Sequence, residues 1–303
     1  MHIYSDRHRL LWGEGVQVLI VCKQDPRADP LARELTDRFR RNGVSTTVLI
    51  KDVSLYDCSK VDVVLVLGGD GIILRTARHF AWLNIPILGI NLGKIGFLSS
   101  AEADQALATV DKVLRKEYLL DERLMLQVKV VRNEEPLLQA SVLNDLVIRA
   151  TVCHTTNINL RVDGKPCITC RGDGVICATP TGSTGYSLSV GGVVIDPSVS
   201  AMVVTQICPQ LAFSRSLVLG ANSELGFMLD SDRSTSLYLD GEEPLPLNKG
   251  NDIMVQRALV TAKIIQFEGV RQFTKLSRSG LKGGLDDFSR DYIASRTTET
   301  QLL

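Results

Sequence analysis

The run Val61-Asp62-Val63-Val64-Leu65-Val66-Leu67 ends in Gly68-Gly69-Asp70-Gly71, and an amphipathic segment carrying Ile72, Ile73, Ala77 and Phe80 follows at once. A nearly continuous apolar run of this length suits a strand buried on both faces, and the spacing after it is helical. A strand that turns directly into a helix commits this stretch to a layered α/β arrangement. Glycines let the backbone approach a ligand closely, and the N–H groups opening the helix suit an anionic phosphate. A carboxylate in that turn repels phosphate. Asp70 therefore has a chemical purpose there as a metal ligand or as the acceptor of a hydroxyl proton. The plain alternative is a tight strand-to-helix turn.

The same alternation surrounds this junction. Val16 to Cys22 reads as a buried strand, and Asp29-Pro30 supplies a cap and first-turn proline. Leu31, Leu35 and Phe39 then recur at helical spacing as far as Asn42-Gly43. Strands are expected over Ser45 to Ile50, Val61 to Leu67 and Pro86 to Ile90, with helices over Ile72 to Trp82 and about Asp104 to Lys116. The first 118 residues thus predict an α/β N-terminal domain with a parallel sheet. From Arg123 the period becomes two: Leu124, Leu126, Val128 and Val130 alternate with Met125, Gln127 and Lys129. Ile158, Leu160 and Val162 do the same and meet Asp163-Gly164, a hairpin signal. Further strands are expected at Leu225 to Leu229, Ser236 to Leu239, Ile253 to Gln256 and Ala262 to Phe267. Residues 119–273 read as a mostly antiparallel β C-terminal domain, and 274–303 as a tail that partly returns to the first.

A second polar constellation lies in that β-rich half. Arg171-Gly172-Asp173-Gly174 precedes Thr179-Pro180-Thr181-Gly182-Ser183-Thr184-Gly185-Tyr186-Ser187-Leu188-Ser189 and then Gly191-Gly192. A flexible linker has this composition. The flanks Val175-Ile176-Cys177 and Val193-Val194-Ile195 read instead as buried strands, so the run describes a polar loop shaped around a hydroxyl-rich ligand. Asn144 and Asp145 interrupt the apolar stretch Val142 to Ile148, and paired polar groups inside a strand need a partner. Asn91 to Leu98 follows a predicted strand and so lies at the carboxyl end of the sheet, where open α/β folds bind ligands.

Taken together, these motifs resemble NAD kinases, which phosphorylate the 2′-hydroxyl of the adenosine ribose of NAD. The resemblance is collinear from about Val16 to about Phe273 and includes Gly68 to Gly71, Asn91 to Leu98, Leu143-Asn144-Asp145, Arg171 to Ser189 and Asp240-Gly241-Glu242. It implies a phosphotransferase using ATP as donor and Mg²⁺ or another divalent metal, acting as a homo-oligomer, a dimer or tetramer. It assigns Asp70 as proton acceptor, with a metal-ligand role the alternative. Gly68, Gly69 and Gly71 would present backbone to phosphates, and Arg75 would be a counter-charge unless it is a solvated helix charge. Phe97 would line the adenine site, or else is a core aromatic. Asn144 and Asp145 would hold the ribose hydroxyls, Arg171 and Asp173 the nicotinamide half, and Thr184, Gly185, Tyr186, Ser187, Leu188 and Ser189 the ribose and adenine. Cys208 would line the adenine side.

Several positions depart from the family's habit. Asp145 replaces a usual Glu, Gly185 a frequent Ala, Ile72 the commonest Thr, and Gln210 a frequent His. Glu242, which the resemblance places among the NAD-binding residues, stands where Gln or Arg is common. Lipid kinases and phosphofructokinases share the Gly-Gly-Asp-Gly turn, but lipid kinases need an apolar entrance and seldom carry the Thr-Gly-Ser-Thr-Gly-Tyr run. A non-enzymatic NAD-sensing module would keep the coenzyme loop and could lose Asp70, which is present.

Composition agrees. The 303 residues carry 34 basic and 34 acidic side chains, so no nucleic-acid partner is expected. No apolar run reaches the roughly 20 residues of a membrane span, so no membrane partner is expected either. The N-terminus lacks a continuous apolar signal region, and its basic character leaves organellar import open beside the expected cytoplasmic location. Seven scattered cysteines indicate reduced thiols. Cys167 and Cys170 have C-x-x-C spacing with no second pair at zinc spacing, which favours structural thiols over a metal or redox pair.

Overall fold

The computed structural model of the protein describes residues 15–50, 56–93, 96–152, 154–210 and 215–267. In chain order the first elements are β1 (Gln17–Cys22), α1 (Ala28–Arg41), β2 (Ser45–Ile50), β3 (Val63–Gly68), α2 (Asp70–Ala81), β4 (Ile87–Asn91), β5 (Ala101–Glu102) and α3 (Ala106–Leu114). The long hairpin of β6 (Leu119–Arg132) and β7 (Glu135–Val142) follows, then β8 (Asp145–Ala150), β9 (Thr156–Val162), β10 (Lys165–Gly172) and β11 (Gly174–Ala178). A short α4 (Tyr186–Ser189) precedes β12 (Ala201–Ile207), β13 (Leu217–Gly220), β14 (Leu225–Leu229), β15 (Thr235–Leu239), β16 (Leu245–Leu247) and β17 (Asp252–Gln266).

Strands β2, β1, β3 and β4 lie side by side in parallel, as the alternating strand and helix pattern predicts. The largely apolar sequence of β1, β3 and β4 has a direct cause. Val18, Ile20 and Cys22 face α1 and α3, packing with Leu35, Phe39 and Val110, while Leu19 and Val21 face α2, packing with Ile73 and Phe80. A strand covered on both faces cannot alternate with polar residues. Beyond β4 the sheet continues through β17, β14, β9 and β10, so one sheet passes through both halves of the chain.

A second, antiparallel sheet runs β13-β12-β11-β8-β15-β16. One face packs on the antiparallel part of the large sheet, where Leu146, Ile148, Val175 and Met202 meet Val128, Leu160 and Phe227. Its other face carries Val147, Ile176 and Val203 and is covered by Tyr186 and Ile195. The Asp163-Gly164 hairpin forms as expected, with positive φ at both residues (50° and 75°) joining Val162 to Lys165.

The structure corrects several sequence expectations. Helix α2 begins at Asp70 rather than Ile72, which places the carboxylate inside the first helical turn. Asp29 and Pro30 lie within the first turn of α1, whose N-cap is Arg27. The third helix is shorter than Asp104 to Lys116, its start being a 3₁₀ turn over Ala103–Gln105. The two strands expected at 253–256 and 262–267 are one strand, β17, with an irregular register between Arg257 and Thr261. Asn144 does not sit inside a strand: β7 ends at Val142, β8 begins at Asp145, and the chain changes sheets at the corner between them. Val193 to Ile195 forms no strand; Val193 is exposed and Ile195 alone is buried. The tail 274–303, Lys94, Ile95 and Cys153 lie outside the described residues. Cys167 is exposed on β10 while Cys170 is buried, and both are free thiols.

Candidate active site

The corner at Leu143–Asp145 is built by a remote carboxylate. After β15 the chain turns at Asp240-Gly241 with positive φ at both residues (51° and 72°), the same dipeptide and geometry as the Asp163-Gly164 hairpin. This aims the Asp240 carboxylate back at the corner. It accepts hydrogen bonds from the backbone N–H of Leu143 at 2.9 Å, Asn144 at 2.8 Å and Asp145 at 3.1 Å. The corner is closed from the other side by Gly182. A Cβ there would stand 2.1 Å from the Asn144 carbonyl oxygen, so glycine is required for the Thr-Gly-Ser run to pass so close.

Along β8, Asp145, Val147 and Arg149 share one face. With Asn144, Tyr186, Tyr238, Asp240 and Gly241 they line a cavity of about 320 Å³. A second cavity, of about 560 Å³, shares Tyr238, Asp240 and Gly241 with the first and reaches Arg75, Glu242 and Glu243. The two cavities thus lie against the same three residues, the second bordering Arg75 on the exposed side of α2. Gly185 faces the polar pair, since a Cβ there would lie 3.7 Å from Asp145 Oδ2 and 4.0 Å from Asn144 Nδ2.

Asp145 and Asp240 are both nearly buried. Burial, then the nearby Asp240 charge, pushes the Asp145 carboxyl up to about 7. Burial also raises Asp240, against the lowering effect of its three N–H donors and of Arg78. The Arg78 guanidinium lies 3.7 Å from Asp240 Oδ2 and bonds Glu242 directly.

Asp70 opens α2, and its two oxygens are each engaged. Oδ2 accepts the Phe97 N–H at 2.6 Å and Oδ1 the Leu98 N–H at 3.1 Å. Gly96 makes this approach possible, because a Cβ there would fall 2.4 Å from Asp70 Oδ1. The carboxylate therefore ties the loop after β4 to the start of α2. Gly68 closes β3, Gly69 caps α2 and Gly71 is exposed on its first turn. Arg75, one turn further, is exposed and borders the larger cavity. Phe97 is half-buried.

The remaining sequence-predicted residues divide. Most hydroxyls of the Thr-Gly-Ser run are turned inward and used by the loop itself. Thr179 Oγ1 bonds the Leu143 carbonyl, Ser183 bonds the Pro180 carbonyl and accepts the Ile195 N–H, and Thr184 bonds the Thr181 carbonyl. Ser187 is fully buried against Thr205, while Leu188 and Ser189 point outward. Tyr186 is the member of the run that lines the cavity. These bonds tie the loop to itself and to the Leu143 corner. Arg171, Asp173 and Cys208 form an exposed group at the far end of β11, where the Cys208 thiol is raised by its bond to Asp173. Arg149 links that group to the cleft.

Tyr238, Arg149 and Arg78 are absent from the residues the sequence singles out, and Asp240 enters only as part of the Asp240-Gly241-Glu242 motif, with no role given to it. Arg78 lies three residues from Arg75 on the same helical face. Tyr238 and Arg149 had no local signal. No group of three or more His, Cys, Asp or Glu side chains among the described residues could hold a metal ion.

Both halves of this arrangement match known families. Residues 21–118 match the ATP-NAD kinase N-terminal domain and residues 142–267 the ATP-NAD kinase C-terminal domain. An NAD kinase of Symbiobacterium thermophilum is 42% identical over 229 residues, covering 74% of this chain and 80% of the relative. One of Carboxydothermus hydrogenoformans is 37% identical over 250 residues, covering 82% and 89%. Among solved structures, yeast NADH kinase complexed with NADH superposes with a TM-score of 0.79 at 22% identity, covering 91% of this chain and 90% of that one. An NAD kinase from Archaeoglobus fulgidus in complex with ATP gives 0.71 at 22% identity, covering 88% and 100%. With both halves matched in order and relatives of this similarity spanning most of its length, the chain belongs to the NAD kinase family.

Proposed function

We propose that this protein transfers the γ-phosphoryl group of ATP to the 2′-hydroxyl of the adenosine ribose of NAD, forming NADP and ADP. The observation that carries the assignment is that the Asn144–Asp145 cavity and the space beside Arg75 of α2 share the wall of Tyr238, Asp240 and Gly241. A pocket suited to a hydroxyl-bearing acceptor thus lies next to the helix that begins at Asp70.

In this mechanism Asn144 and Asp145 bind the ribose diol, with their backbone fixed by Asp240. The ribose lies between the corner and Gly185, and Tyr186 and Tyr238 shield it from water. Asp70 accepts the 2′-hydroxyl proton as the ribose oxygen attacks the γ-phosphorus and the bond to the ADP oxygen breaks. A carboxylate has about four acceptor positions, so two N–H partners leave room for the substrate hydroxyl. Arg75 and the N–H groups opening α2 offset charge on the phosphates.

Mg²⁺ fits this site as an ion carried chiefly by the donor's phosphates and water. That coordination needs one or two carboxylates rather than a protein cage, and Asp70 is the one at the phosphate end. When bound, it neutralises phosphate charge. The resemblance also supports a homo-oligomer, a dimer or tetramer, working in the cytoplasm; no described helix is long and apolar enough to cross a membrane. The test is direct. Purified protein with NAD, ATP and Mg²⁺ should form NADP in a coupled assay, and absence of NADP, or transfer to diacylglycerol or sphingosine, would refute the assignment.

A further inference from the structure

Arg78 lies on α2, two turns beyond Asp70, yet its contacts are with the opposite half of the chain. Its guanidinium is 3.7 Å from Asp240 Oδ2 and also bonds Glu242, and its side chain is 21% exposed. Asp240 in turn holds three consecutive N–H groups at the corner carrying Asn144 and Asp145, and its side chain is 1% exposed. Asp70, Arg78, Asp240 and Asp145 therefore form one chain of contacts and covalent backbone. The helix that carries the proposed base is fastened by Arg78 to the carboxylate that shapes the acceptor pocket.

We propose that Arg78 is a positioning residue for phosphoryl transfer: by clamping the Asp240 turn to α2, it sets the Asn144–Asp145 corner in register with Asp70. The assignment rests on the kinase reading above. It has two physical consequences. First, the acceptor pocket and the phosphate-binding helix lose their direct tie when the guanidinium is removed. Second, Asp240 keeps its charge beside Asp145 only with a compensating cation. The groups around Asp240 are Asp145 at the corner, Arg78 on α2 and Glu242 on its own turn, with Arg75, Arg149, Tyr186, Tyr238 and Glu243 lining the cavities it borders. Arg78 is the cation in direct reach. Without it Asp240 protonates at a higher pH, and a neutral carboxyl holds the three N–H donors less well.

The test compares wild type with Arg78→Met, which keeps the apolar stem, and Arg78→Lys, which keeps the charge. Initial rates of NADP formation are measured against NAD and against ATP from pH 6 to 9. Wild-type turnover tests the kinase reading independently of the variants. For Arg78→Met we expect the KM for NAD to rise about tenfold, the loss of a hydrogen bond to a charged group, with the KM for ATP changed much less. The NAD defect should be largest at low pH and shrink as pH rises, and Arg78→Lys should restore much of it. Equal changes in both KM values, a defect independent of pH, or no rescue by lysine would overturn the proposal and leave Arg78 a structural ion pair. If Arg78→Met does not fold, Arg78→Gln, which also removes the charge, takes its place beside Arg78→Lys under the same criteria.

Discussion

Replacing Asp70 by Asn is the sharpest perturbation of the site, and the structure shows that it does two things at once. It removes the group that accepts the hydroxyl proton. It also breaks the symmetry of an anchor, because the two carboxylate oxygens accept separate N–H groups from Phe97 at 2.6 Å and Leu98 at 3.1 Å. An amide offers one oxygen and one NH₂, so one of those N–H groups must face another donor. Loss of positioned general-base catalysis costs on the order of 10²–10⁴ in rate. Loss of one hydrogen bond to a charged group costs about 1.5–3 kcal/mol, expressed as a looser Gly96–Leu98 loop. Gly96→Ala separates the two. Its Cβ would stand 2.4 Å from Asp70 Oδ1, so the loop must shift while the carboxylate remains. The assay is kcat for NADP formation, with NAD binding measured by calorimetry for both variants. Asp70→Asn should lose at least about a hundredfold in kcat, with NAD binding weakened only modestly, and Gly96→Ala should lose less. Near-wild-type turnover in Asp70→Asn would remove the residue from the chemistry. A loss no greater than that of Gly96→Ala would make it a loop anchor.

Asp145→Ala should raise the NAD requirement about tenfold or more, the value of a hydrogen bond to a charged group, and leave the ATP requirement nearly unchanged; equal effects would assign Asp145 to the strand alone. Because burial holds the Asp145 carboxyl near 7, well above its ordinary value near 4, the folded protein binds that proton more tightly than the unfolded chain. Its contribution to stability is present below about pH 4 and is lost as pH rises through about 7. Melting temperature measured from pH 5 to 8 should therefore fall more in wild type than in Asp145→Asn, and parallel curves would contradict the shift. Gly182→Ala must move the Asn144 carbonyl, which its Cβ would approach to 2.1 Å, so it should weaken NAD binding and lower the melting temperature; an unaffected variant would show that the corner yields freely. NAD lacking the 2′-hydroxyl should not be phosphorylated, and label from ATP appearing on it would place the transfer at another atom.

The layered half of the fold was legible because β1, β3 and β4 are apolar on both faces and its helices show a 3.6-residue period. Boundaries slipped where polar residues belong to an element for reasons other than burial: Asp70 is helical because it caps a loop, not because it follows the apolar spacing. The β-rich half was legible where strands alternate and where a short apolar run stands out, as at Val175 to Cys177 of β11. Strand β12 is buried on both faces, loses the alternation that marks a wet surface, and was not singled out. At the site, the sequence marks a polar loop but not the bonds within it, which depend on the tertiary fold: Thr179 Oγ1 bonds the Leu143 carbonyl and Ser187 packs against Thr205. Asp240 acts on residues about 95 positions earlier, and no local pattern reports a contact across that separation.

Strand β17 gives the two halves a common fate. Residues 252–257 pair with β14 and the far end of β6, while Ile264 pairs in parallel with Ile87 of β4, and Ile265 lies in the core beneath α1 and α3. The α/β half thus obtains an interior strand from a segment translated almost 150 residues after its own last helix. A nascent chain that has emerged only as far as α3 has the Ile87 end of β4 unpaired on that side, since β5 covers only Ile90 and Asn91, and part of its core missing. Folding of the first half must wait for the second, through pairings of large sequence separation that form slowly. Release of either half as an independently stable fragment by proteolysis is not open to this architecture, and heat or denaturant should melt both in a single transition.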